Sequence, residues 1–343
     1  VRLGFYSLIL LNNFTRNIIT MEYRRFGRTD WQVSLIGYGM WGMAGWKGSD
    51  DQESNRSLDL AVELGCNFFD TAWGYGAGKS EAILSSLVKR HPSKKLYVAT
   101  KIPTKNFKWP SRRGFLLEDC FPGEHIIEYV EKSLSNLQVD TIDLIQFHVW
   151  EDDWAHQEEW QRTLEDLKKQ GKIDKVGVSI NRWEPENSIE TLRTGAIDTV
   201  QVIYNIFDQA PEDKLFPICE ELDIGVIARV PFDEGTLTGN LTLDTKFPEG
   251  DWRGTYFVPE NLKSSVAHAE AIKNILPANR TLPEVALKFI AHNTTVSTII
   301  PGMRKKHHVV SNMTVGSDYL LPEDLMNELR KHRWDRVPTE WSQ

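Results

Sequence analysis

The sequence predicts an α/β fold, a (β/α)8 TIM barrel with an N-terminal β-hairpin and long loops on the C-terminal face. Short apolar runs alternate regularly with segments that carry apolar residues at helical spacing, which indicates a parallel sheet. The runs are almost continuously apolar, as expected for strands that are buried on both faces. Eight such units in roughly 300 residues suit a closed barrel.

The elements follow one another in a regular order. The hairpin is predicted from two short segments between Tyr23 and Leu35 that flank the turn Gly27–Asp30. The barrel strands are predicted at 35–39, 67–70, 96–101, 142–148, 175–179, 198–204, 225–228 and 296–300. The helices are predicted at 52–64, 80–90, 124–137, 157–170, 184–194, 212–223, 260–276 and 283–292. Gly65, Gly171 and Gly195 end three of these helices.

A doubly wound open sheet is the competing fold. It normally carries a Gly-x-Gly-x-x-Gly turn between its first strand and first helix. The segment Gly37–Gly42 has that spacing, but the next helical pattern begins about ten residues later. The barrel is therefore favoured. Three long segments, 102–123, 149–156 and 229–259, each follow a strand and are expected to shape a site on the catalytic face.

Composition and charge limit the possible functions. The chain is 41% hydrophobic and 26% charged, with a net charge of −8 and a pI near 5.7. Broad binding to nucleic acid or to anionic membranes is therefore not expected, and a phosphate-bearing ligand requires a local basic site. The three cysteines, Cys66, Cys120 and Cys219, are widely spaced and indicate reduced thiols in a cytoplasmic protein.

The first twenty residues are set apart from the rest. The apolar run from Phe5 to Leu11 is too short to cross a bilayer, and no signal-cleavage pattern follows it. Met21 resembles a natural start. We expect residues 1–20 to be a non-native or disordered extension and residues 21–343 to form a single barrel domain.

Four residues with proton-transfer chemistry follow successive strands. Asp70 ends one apolar run, Tyr75 lies in the glycine-rich loop after it, and Lys101 and His148 end the next two runs. Catalytic groups of parallel barrels lie at these strand ends. A neighbouring ammonium group lowers the pKa of a phenol, and a carboxylate fixes that ammonium group. The set suits proton delivery to an oxygen that gains charge when hydride reaches the adjacent carbon.

Each of the four residues also has a purely structural interpretation. Asp70 would cap the next loop, Lys101 would be a solvated strand end, His148 would be a core histidine and Tyr75 would be a packing residue. Their order, on three successive strands, favours the catalytic interpretation.

Several short motifs also occur in a fixed order. They are Phe68–Ala72 with Tyr75 and Ser80–Glu81, Ala99–Lys101, Phe147–His148, Gly177–Ser179, Gln201 with Tyr204–Asn205, and Ile300–Arg304. With these motifs the chain from about Met21 onward resembles the aldo-keto reductase family of bacterial type. The resemblance implies a (β/α)8 barrel and NAD(P)H-dependent reduction of aldehydes or ketones to alcohols. By position it makes Tyr75 the proton donor, Asp70 and Lys101 its tuning pair, and His148 the group that orients the carbonyl.

The resemblance also implies a site for NADP(H). Ser179, Asn181 and Gln201 would bind the carboxamide, Tyr204 would stack on the nicotinamide, and Arg304 would bind the adenosine 2′-phosphate. The loop 230–239 would cover the pyrophosphate. The full expected set is Ser179, Asn181, Gln201, Tyr204, Arg229, Pro231, Gly235, Leu237, Gly239, Gly302, Arg304, His308 and Asn312.

The sequence departs from the family pattern at three of these positions. Ala-Tyr-Ser-Pro-Leu is common before the covering loop, and this chain has arginine at the second position of Ala228–Phe232. We expect Arg229 either to reach a phosphate or to pair with Asp233 or Glu234. His308 stands where the family often has glutamine, and one residue is inserted between Ser179 and Asn181.

Tryptophans after the early strands predict an aromatic-walled substrate pocket. Trp41, Trp73 and Trp150 are expected nearest to the hydride acceptor, whereas Trp109 is expected to pack a long loop. His307–His308 has no acid or cysteine at ligand spacing, so we expect a helix start there and no metal site.

The predicted function is therefore an NADPH-preferring carbonyl reductase with a small-molecule substrate and no nucleic-acid or membrane partner. One alternative is a cofactor-binding redox sensor or regulatory subunit with slow turnover. The other is a barrel isomerase or metal hydrolase, which would require a His-x-His or carboxylate cluster. The sequence specifies neither the substrate nor the oligomeric state.

Overall fold

The computed structural model describes residues 21–43 and 50–342. The prediction for residues 1–20 lies outside the described residues. The hairpin is present, with β1 (Tyr23–Arg25) antiparallel to β2 (Gln32–Ser34). Phe26, between its strands, is fully buried among inward-facing residues of the barrel such as Phe68 and Ile227. The hairpin therefore closes the N-terminal end of the barrel with apolar side chains.

Eight parallel strands form the barrel, as predicted. They are β3 (Tyr38–Gly39), β4 (Phe68–Asp70), β5 (Tyr97–Ile102), β6 (Ile142–Phe147), β7 (Ile173–Ser179), β8 (Thr199–Ile203), β9 (Gly225–Arg229) and β10 (Val296–Ile299). The strands are neighbours in chain order. Parallel bridges from Ile36 to Ile299 and from Gly39 to Gly302 join the first strand region to the last and close the barrel.

Helices surround the strands. They are α1 (Asp51–Glu63), α2 (Lys79–Arg90), α3 (Leu117–Cys120), α4 (Gly123–Leu137), α5 (Glu158–Lys169), α6 (Ile189–Arg193), α7 (Leu215–Glu221), α8 (Arg253–Tyr256), α9 (Pro259–Lys273), α10 (Leu282–His292), α11 (Lys306–Val315) and α12 (Glu323–Arg330). The predicted helix start at His307–His308 is confirmed, because α11 begins at Lys306. Within the described part of the chain, no helix combines the length and apolarity required to cross a membrane.

One predicted helix is much shorter than expected. The segment predicted as a helix at 184–194 is helical only in α6. The carboxylate of Asp152 accepts hydrogen bonds from the backbone N–H groups of Glu190 and Thr191, both at 2.8 Å, and so fixes where the helix begins. Asn187, just before the helix, donates instead to Glu151 and Glu184. A cap from a distant loop is not visible in the local sequence pattern.

Candidate active site

Asp70, Tyr75 and Lys101 meet at the C-terminal end of the barrel. The Lys101 side chain is fully buried and its Nζ donates to Asp70 Oδ1 at 2.5 Å, to the Thr71 carbonyl at 2.8 Å and to Tyr75 Oη at 3.4 Å. The second oxygen of Asp70 accepts from Gln146 Nε2 at 3.0 Å and from Gln201 Nε2 at 2.8 Å. The Asp70 carboxylate is thus held by three donors, and the ammonium group faces the phenol.

The loop that carries Tyr75 has a defined conformation. Thr71 Oγ1 donates to Ser80 Oγ at 2.7 Å across the loop, and the Ser80 backbone N–H donates to the Tyr75 carbonyl at 3.2 Å. Gly78 has a φ of 88°, and a Cβ there would lie 2.2 Å from Asn136 Nδ2. Glycine at this position is therefore required both by the backbone and by the neighbouring helix. These contacts fix the phenol over the end of β4.

The electrostatics of the cluster favour a protonated phenol beside a charged lysine. Burial raises the pKa of Tyr75, and the positive charge of Lys101 opposes that rise. Burial alone would lower the pKa of Lys101, but the attraction of Asp70 and Tyr75 outweighs it and the pKa is raised. Tyr75 therefore keeps a transferable proton at neutral pH, and Lys101 is positioned to stabilise the phenolate that forms when the proton leaves.

His148 lies beside the phenol, with 5.6 Å between the ring centroids. Burial and the charges of Lys101 and Arg229 hold the pKa of His148 well below its usual range, so its imidazole is neutral. Its Nδ1 atom is buried and has no hydrogen-bond partner among the described residues. A neutral ring of this kind is suited to a hydrogen bond with a ligand oxygen.

A cavity of about 710 Å³ opens over these groups. Its lining contains three of the four expected catalytic residues, Asp70, Tyr75 and His148, with Lys101 directly behind them. Of the expected cofactor residues, those that line the cavity are Gln201, Arg229, Pro231, Gly235, Gly302, Arg304 and His308. The volume lies within the range of ligand-binding pockets.

The remaining expected cofactor residues do not line this cavity. Ser179 is buried at the end of β7, opposite Gln201. Leu237 is in the apolar core, and Gly239 is covered by Lys273, whose Nζ donates to its carbonyl. Asn312 is buried in α11.

Tyr204 is placed differently from the prediction. Side chains alternate along a strand, and since Gln201 on β8 points inward, Tyr204 points outward. Its ring packs against Phe216 and Phe289 outside the barrel, and its hydroxyl donates to Glu212. The side chain is fully buried there and is not positioned to stack on a ligand in the cavity.

Asn181 also lies away from the cavity. Its amide donates to Glu151 at 3.0 Å, to the Trp150 carbonyl at 3.1 Å and to Glu184 at 3.0 Å. These hydrogen bonds anchor the loop after β7 to the loop after β6. They occupy the amide N–H groups of Asn181, which the prediction assigned to the carboxamide of the cofactor.

Of the three tryptophans expected in the substrate pocket, one lines the cavity and two do not. Trp41 lines the cavity, but Trp150 is fully buried outside it, where its Nε1 donates to Thr191 at 2.7 Å and its ring packs on Trp160. Trp73 packs edge-on against Tyr129 in the helical layer and does not line the cavity. Trp109, expected only to pack a loop, is a cavity residue with its ring centroid 5.6 Å from that of His148.

The structure adds two cavity residues that the sequence patterns did not single out, Arg182 and Trp252. Glu234, expected only as a possible partner of Arg229, also lines the cavity. Arg182, from the loop after β7, forms an ion pair with Glu234, from the loop after β9. The local signal was only a charged residue in each of two loops after strands, and the pairing depends on barrel closure.

The loop after β9 is held in an unusual conformation. Val230, Asp233 and Glu234 have φ values of 55°, 45° and 56°, in a region that non-glycine residues rarely adopt. Arg336, near the C-terminus, is buried and bonds both Asp233, at 2.8 Å, and Asp208, at 2.7 Å. These ion pairs stabilise the loop in a shape that forms one wall of the cavity.

Arg229 makes neither of the expected acidic contacts. Glu234 pairs with Arg182 and Asp233 pairs with Arg336, so the Arg229 guanidinium instead donates to the Ile180 carbonyl at 2.9 Å. Of the two alternatives for Arg229, the ion pair with Asp233 or Glu234 does not form, and the contact with a phosphate stays a prediction. Burial and the neighbouring charge of Arg182 lower the pKa of Arg229 to about 10, which leaves it charged at neutral pH.

Four nitrogen atoms around the cavity lack partners that a ligand could supply. Arg182 Nη1, Arg229 Nε, Arg304 Nη1 and His148 Nδ1 are buried nitrogen atoms without hydrogen-bond partners in the described part of the chain. All four residues line the cavity. Buried donors normally have partners, so a ligand rich in acceptor oxygens would complete this set.

Comparison with known proteins agrees with this architecture. Residues 35–333 match the model of the Aldo/keto reductase family. An aldo-keto reductase of Gibberella moniliformis is 32% identical over 88% of this chain and 91% of its own length. The NADH-specific methylglyoxal reductase of Escherichia coli is 29% identical over 88% of this chain and 96% of its own.

A solved structure shows the same fold. The glycerol dehydrogenase of Gluconobacter oxydans matches 91% of this chain and 94% of its own with a TM-score of 0.75 and 27% identity. The chain therefore belongs to the aldo/keto reductase family, oxidoreductases that act on carbonyls or alcohols with a nicotinamide cofactor.

Proposed function

We propose that this protein reduces small aldehydes or ketones with NADPH and that Tyr75 donates the proton. The observation that carries the proposal is the buried contact of Lys101 with Asp70 and Tyr75, at the base of a cavity that His148 also lines. A pure binding protein has no need of a buried ammonium group aimed at a phenol, since burying that charge is costly.

The residues have distinct roles in the proposed reaction. The bound nicotinamide supplies the hydride. The neutral imidazole of His148 orients the carbonyl oxygen, and Tyr75 gives that oxygen its proton. Lys101 stabilises the resulting phenolate, and Asp70 holds Lys101 in place through the 2.5 Å contact. Developing negative charge on the substrate thus meets the fixed positive charge of Lys101 through the phenol.

Cofactor binding is proposed to extend along the cavity. Arg304, Lys305 and His308 line it together and would hold the adenosine 2′-phosphate, which favours NADPH. Arg182 and the loop from Val230 to Gly235 would hold the pyrophosphate. The relative in Escherichia coli is named NADH-specific, so the preference has to be measured rather than transferred.

The central experiment follows NADPH absorbance with methylglyoxal and with an aromatic aldehyde. Methylglyoxal is chosen because one relative is named as its reductase. Wild type should turn over, and Tyr75→Phe should lose about two to four orders of magnitude in kcat while keeping its affinity for NADPH. Tyr319→Phe is the matched control, because Tyr319 packs against Arg24 away from the site.

The alternative of a redox sensor makes a different prediction. Such a protein would bind NADPH tightly, as measured by fluorescence quenching, yet show no turnover with either aldehyde. Equal activity of wild type and Tyr75→Phe would refute Tyr75 as the proton donor.

A further inference from the structure

Gln146 lies next to the proton-transfer groups, inside the barrel. It is fully buried on β6, opposite Lys101 of β5 in the strand register, and it does not itself line the cavity. Its Nε2 donates to Asp70 Oδ2 at 3.0 Å, and its Oε1 accepts from Gln201 Nε2 at 3.1 Å. Gln201 Nε2 also donates to Asp70 Oδ2 at 2.8 Å. The three side chains thus form a closed triangle of hydrogen bonds.

The triangle is compatible with only one orientation of each amide. Reversing the Gln201 amide would place its oxygen against Asp70 Oδ2 and Gln146 Oε1, both of which are acceptors. Reversing the Gln146 amide would place its oxygen against the Asp70 carboxylate and its nitrogen against Gln201 Nε2. Either reversal leaves buried polar groups without their partners, which is costly. The three side chains therefore fix one another.

The strand between Gln146 and Gln201 leaves room for their contact. That strand is β7, and its residue paired with Gln146 is Gly177. A Cβ on Gly177 would lie 3.1 Å from Gln146 Cγ. A side chain in place of Gly177 would thus crowd Gln146 in the position from which it reaches across β7 to Gln201. Glycine at this point is a local requirement of the triangle.

One atom of the triangle faces the cavity. Both N–H groups of Gln201 Nε2 are used within the protein, one by Asp70 and one by Gln146. Gln201 Oε1 accepts no hydrogen bond within the described part of the chain and is accessible from the cavity, which Gln201 lines. Gln201 therefore offers the cavity a hydrogen-bond acceptor and no donor. A nicotinamide carboxamide that meets this oxygen has to present its NH2 group to it.

We propose that Gln146 is a positioning residue of the reaction, which sets Asp70 on the proton-transfer side and Gln201 on the cofactor side. Through Asp70 it acts on Lys101, whose Nζ faces the phenol of Tyr75. Through Gln201 it fixes the acceptor that meets the carboxamide of the cofactor. The proposal rests on the reductase function proposed above and adds to it a residue outside the cavity lining.

The first arm of the test measures binding and requires no turnover. Isothermal titration calorimetry compares NADP+ with its 3-acetylpyridine analogue, in which a methyl group replaces the NH2 of the carboxamide. Wild type should bind the analogue about tenfold or more weakly, because Gln201 Oε1 is left unpaired. Gln146→Leu leaves the Gln201 amide held by Asp70 alone, so the amide can rotate, and the ratio of the two dissociation constants should fall about threefold or more. The corresponding NAD+ pair is used if the protein binds NAD+ more tightly.

The second arm measures kcat against pH and uses Gln146→Glu, which has almost the same shape as the native residue. A protonated carboxyl group there donates to Asp70 and accepts from Gln201 as the amide does. Burial and the charge of Asp70 raise the pKa of this carboxyl group, since the charge of Lys101 is already paired with Asp70. Activity should therefore be near that of wild type at low pH and should fall as the pH rises through this pKa. Gln146→Leu should lower kcat about tenfold without a new pH dependence.

Gln209→Leu is the matched control. Gln209 is buried like Gln146, but its amide donates to the backbone carbonyls of Ile206 at 2.7 Å and Arg330 at 3.2 Å. This variant should leave the ratio of dissociation constants and kcat unchanged. Thermal unfolding of each variant shows that the compared proteins are folded at the assay temperature.

Two results would overturn the proposal. One is a ratio of dissociation constants in Gln146→Leu equal to that of wild type. The other is a loss of kcat in Gln146→Glu that is the same at every pH, which would mean that Gln146 only fills space. Wild type that binds the cofactor without turnover would refute the reductase function instead, and the binding arm would still decide whether Gln146 positions Gln201.

Discussion

Replacing Lys101 with methionine tests the centre of the site. The substitution removes three contacts of Nζ, to Asp70 at 2.5 Å, to the Thr71 carbonyl at 2.8 Å and to Tyr75 at 3.4 Å. Asp70 is left as a buried carboxylate. Removing one partner of a buried ion pair typically destabilises a protein by about 3–5 kcal/mol. Because Gln146 and Gln201 still donate to Asp70, we expect a value near the lower end, about 3 kcal/mol.

The assay combines urea unfolding with steady-state kinetics. Lys101→Met should also lower kcat by about two to four orders of magnitude, because the phenolate of Tyr75 loses its stabilising charge. The double variant Asp70→Asn/Lys101→Met should regain most of the lost stability, since no unpaired charge remains, but none of the activity. This separation of stability from catalysis is the specific expectation.

A matched lysine provides the control. Lys288 is as buried as Lys101 and pairs with Asp318 at 3.0 Å, but it lies on α10 outside the cavity. Lys288→Met should leave kcat unchanged. The reasoning is refuted if Lys101→Met is within about 1 kcal/mol of wild type in stability, or if the double variant is less stable than the single one.

Three further predictions concern the pH dependence of turnover, the preference between NADPH and NADH, and the stability of the N-terminal end of the barrel. Because the pKa of Tyr75 is raised and that of His148 is lowered, both residues stay in their neutral forms from about pH 7 to pH 9. The value of kcat/KM for carbonyl reduction should therefore be flat over this range. The value of kcat/KM for alcohol oxidation should rise with pH, because the phenolate of Tyr75 accepts the proton. Arg304→Ala should raise KM for NADPH about tenfold or more and leave KM for NADH nearly unchanged, as measured by parallel titrations. Phe26→Ala should destabilise the fold by about 3–5 kcal/mol in urea unfolding, and Gly225→Ala should also destabilise it because its Cβ would lie 2.5 Å from the Phe26 ring.

Patterns that repeat along the chain predicted the fold correctly. Apolar runs and helical spacing depend on short stretches of sequence, and they gave the eight strands of the barrel and most of its helices. The helix before Thr194 was predicted too long because its start is set by Asp152, a residue on another loop. The short helices α3 and α8 lie inside long loops, where no periodicity distinguishes one helical turn from an irregular segment.

The site was predictable where a residue's position on its strand determines its direction. Asp70, Lys101 and Gln201 all point into the barrel, as their strand positions require. The same rule, applied to β8, would have excluded Tyr204, because it lies three residues beyond an inward-facing position. The pairing of Arg182 with Glu234 could not be predicted, since it joins two loops that meet only when the barrel closes.

The distribution of charge explains how an acidic protein could hold a polyanionic ligand. The chain carries a net charge of −8, yet its cavity concentrates arginine. Some of these cations are neutralised within the protein, as Arg182 is by Glu234. Arg229 and Arg304 differ, because neither forms an ion pair with a described residue and each has a buried nitrogen without a partner there. The cations that pair within the protein are thus separated from those left for a ligand, and on our proposal Arg304 would meet the cofactor.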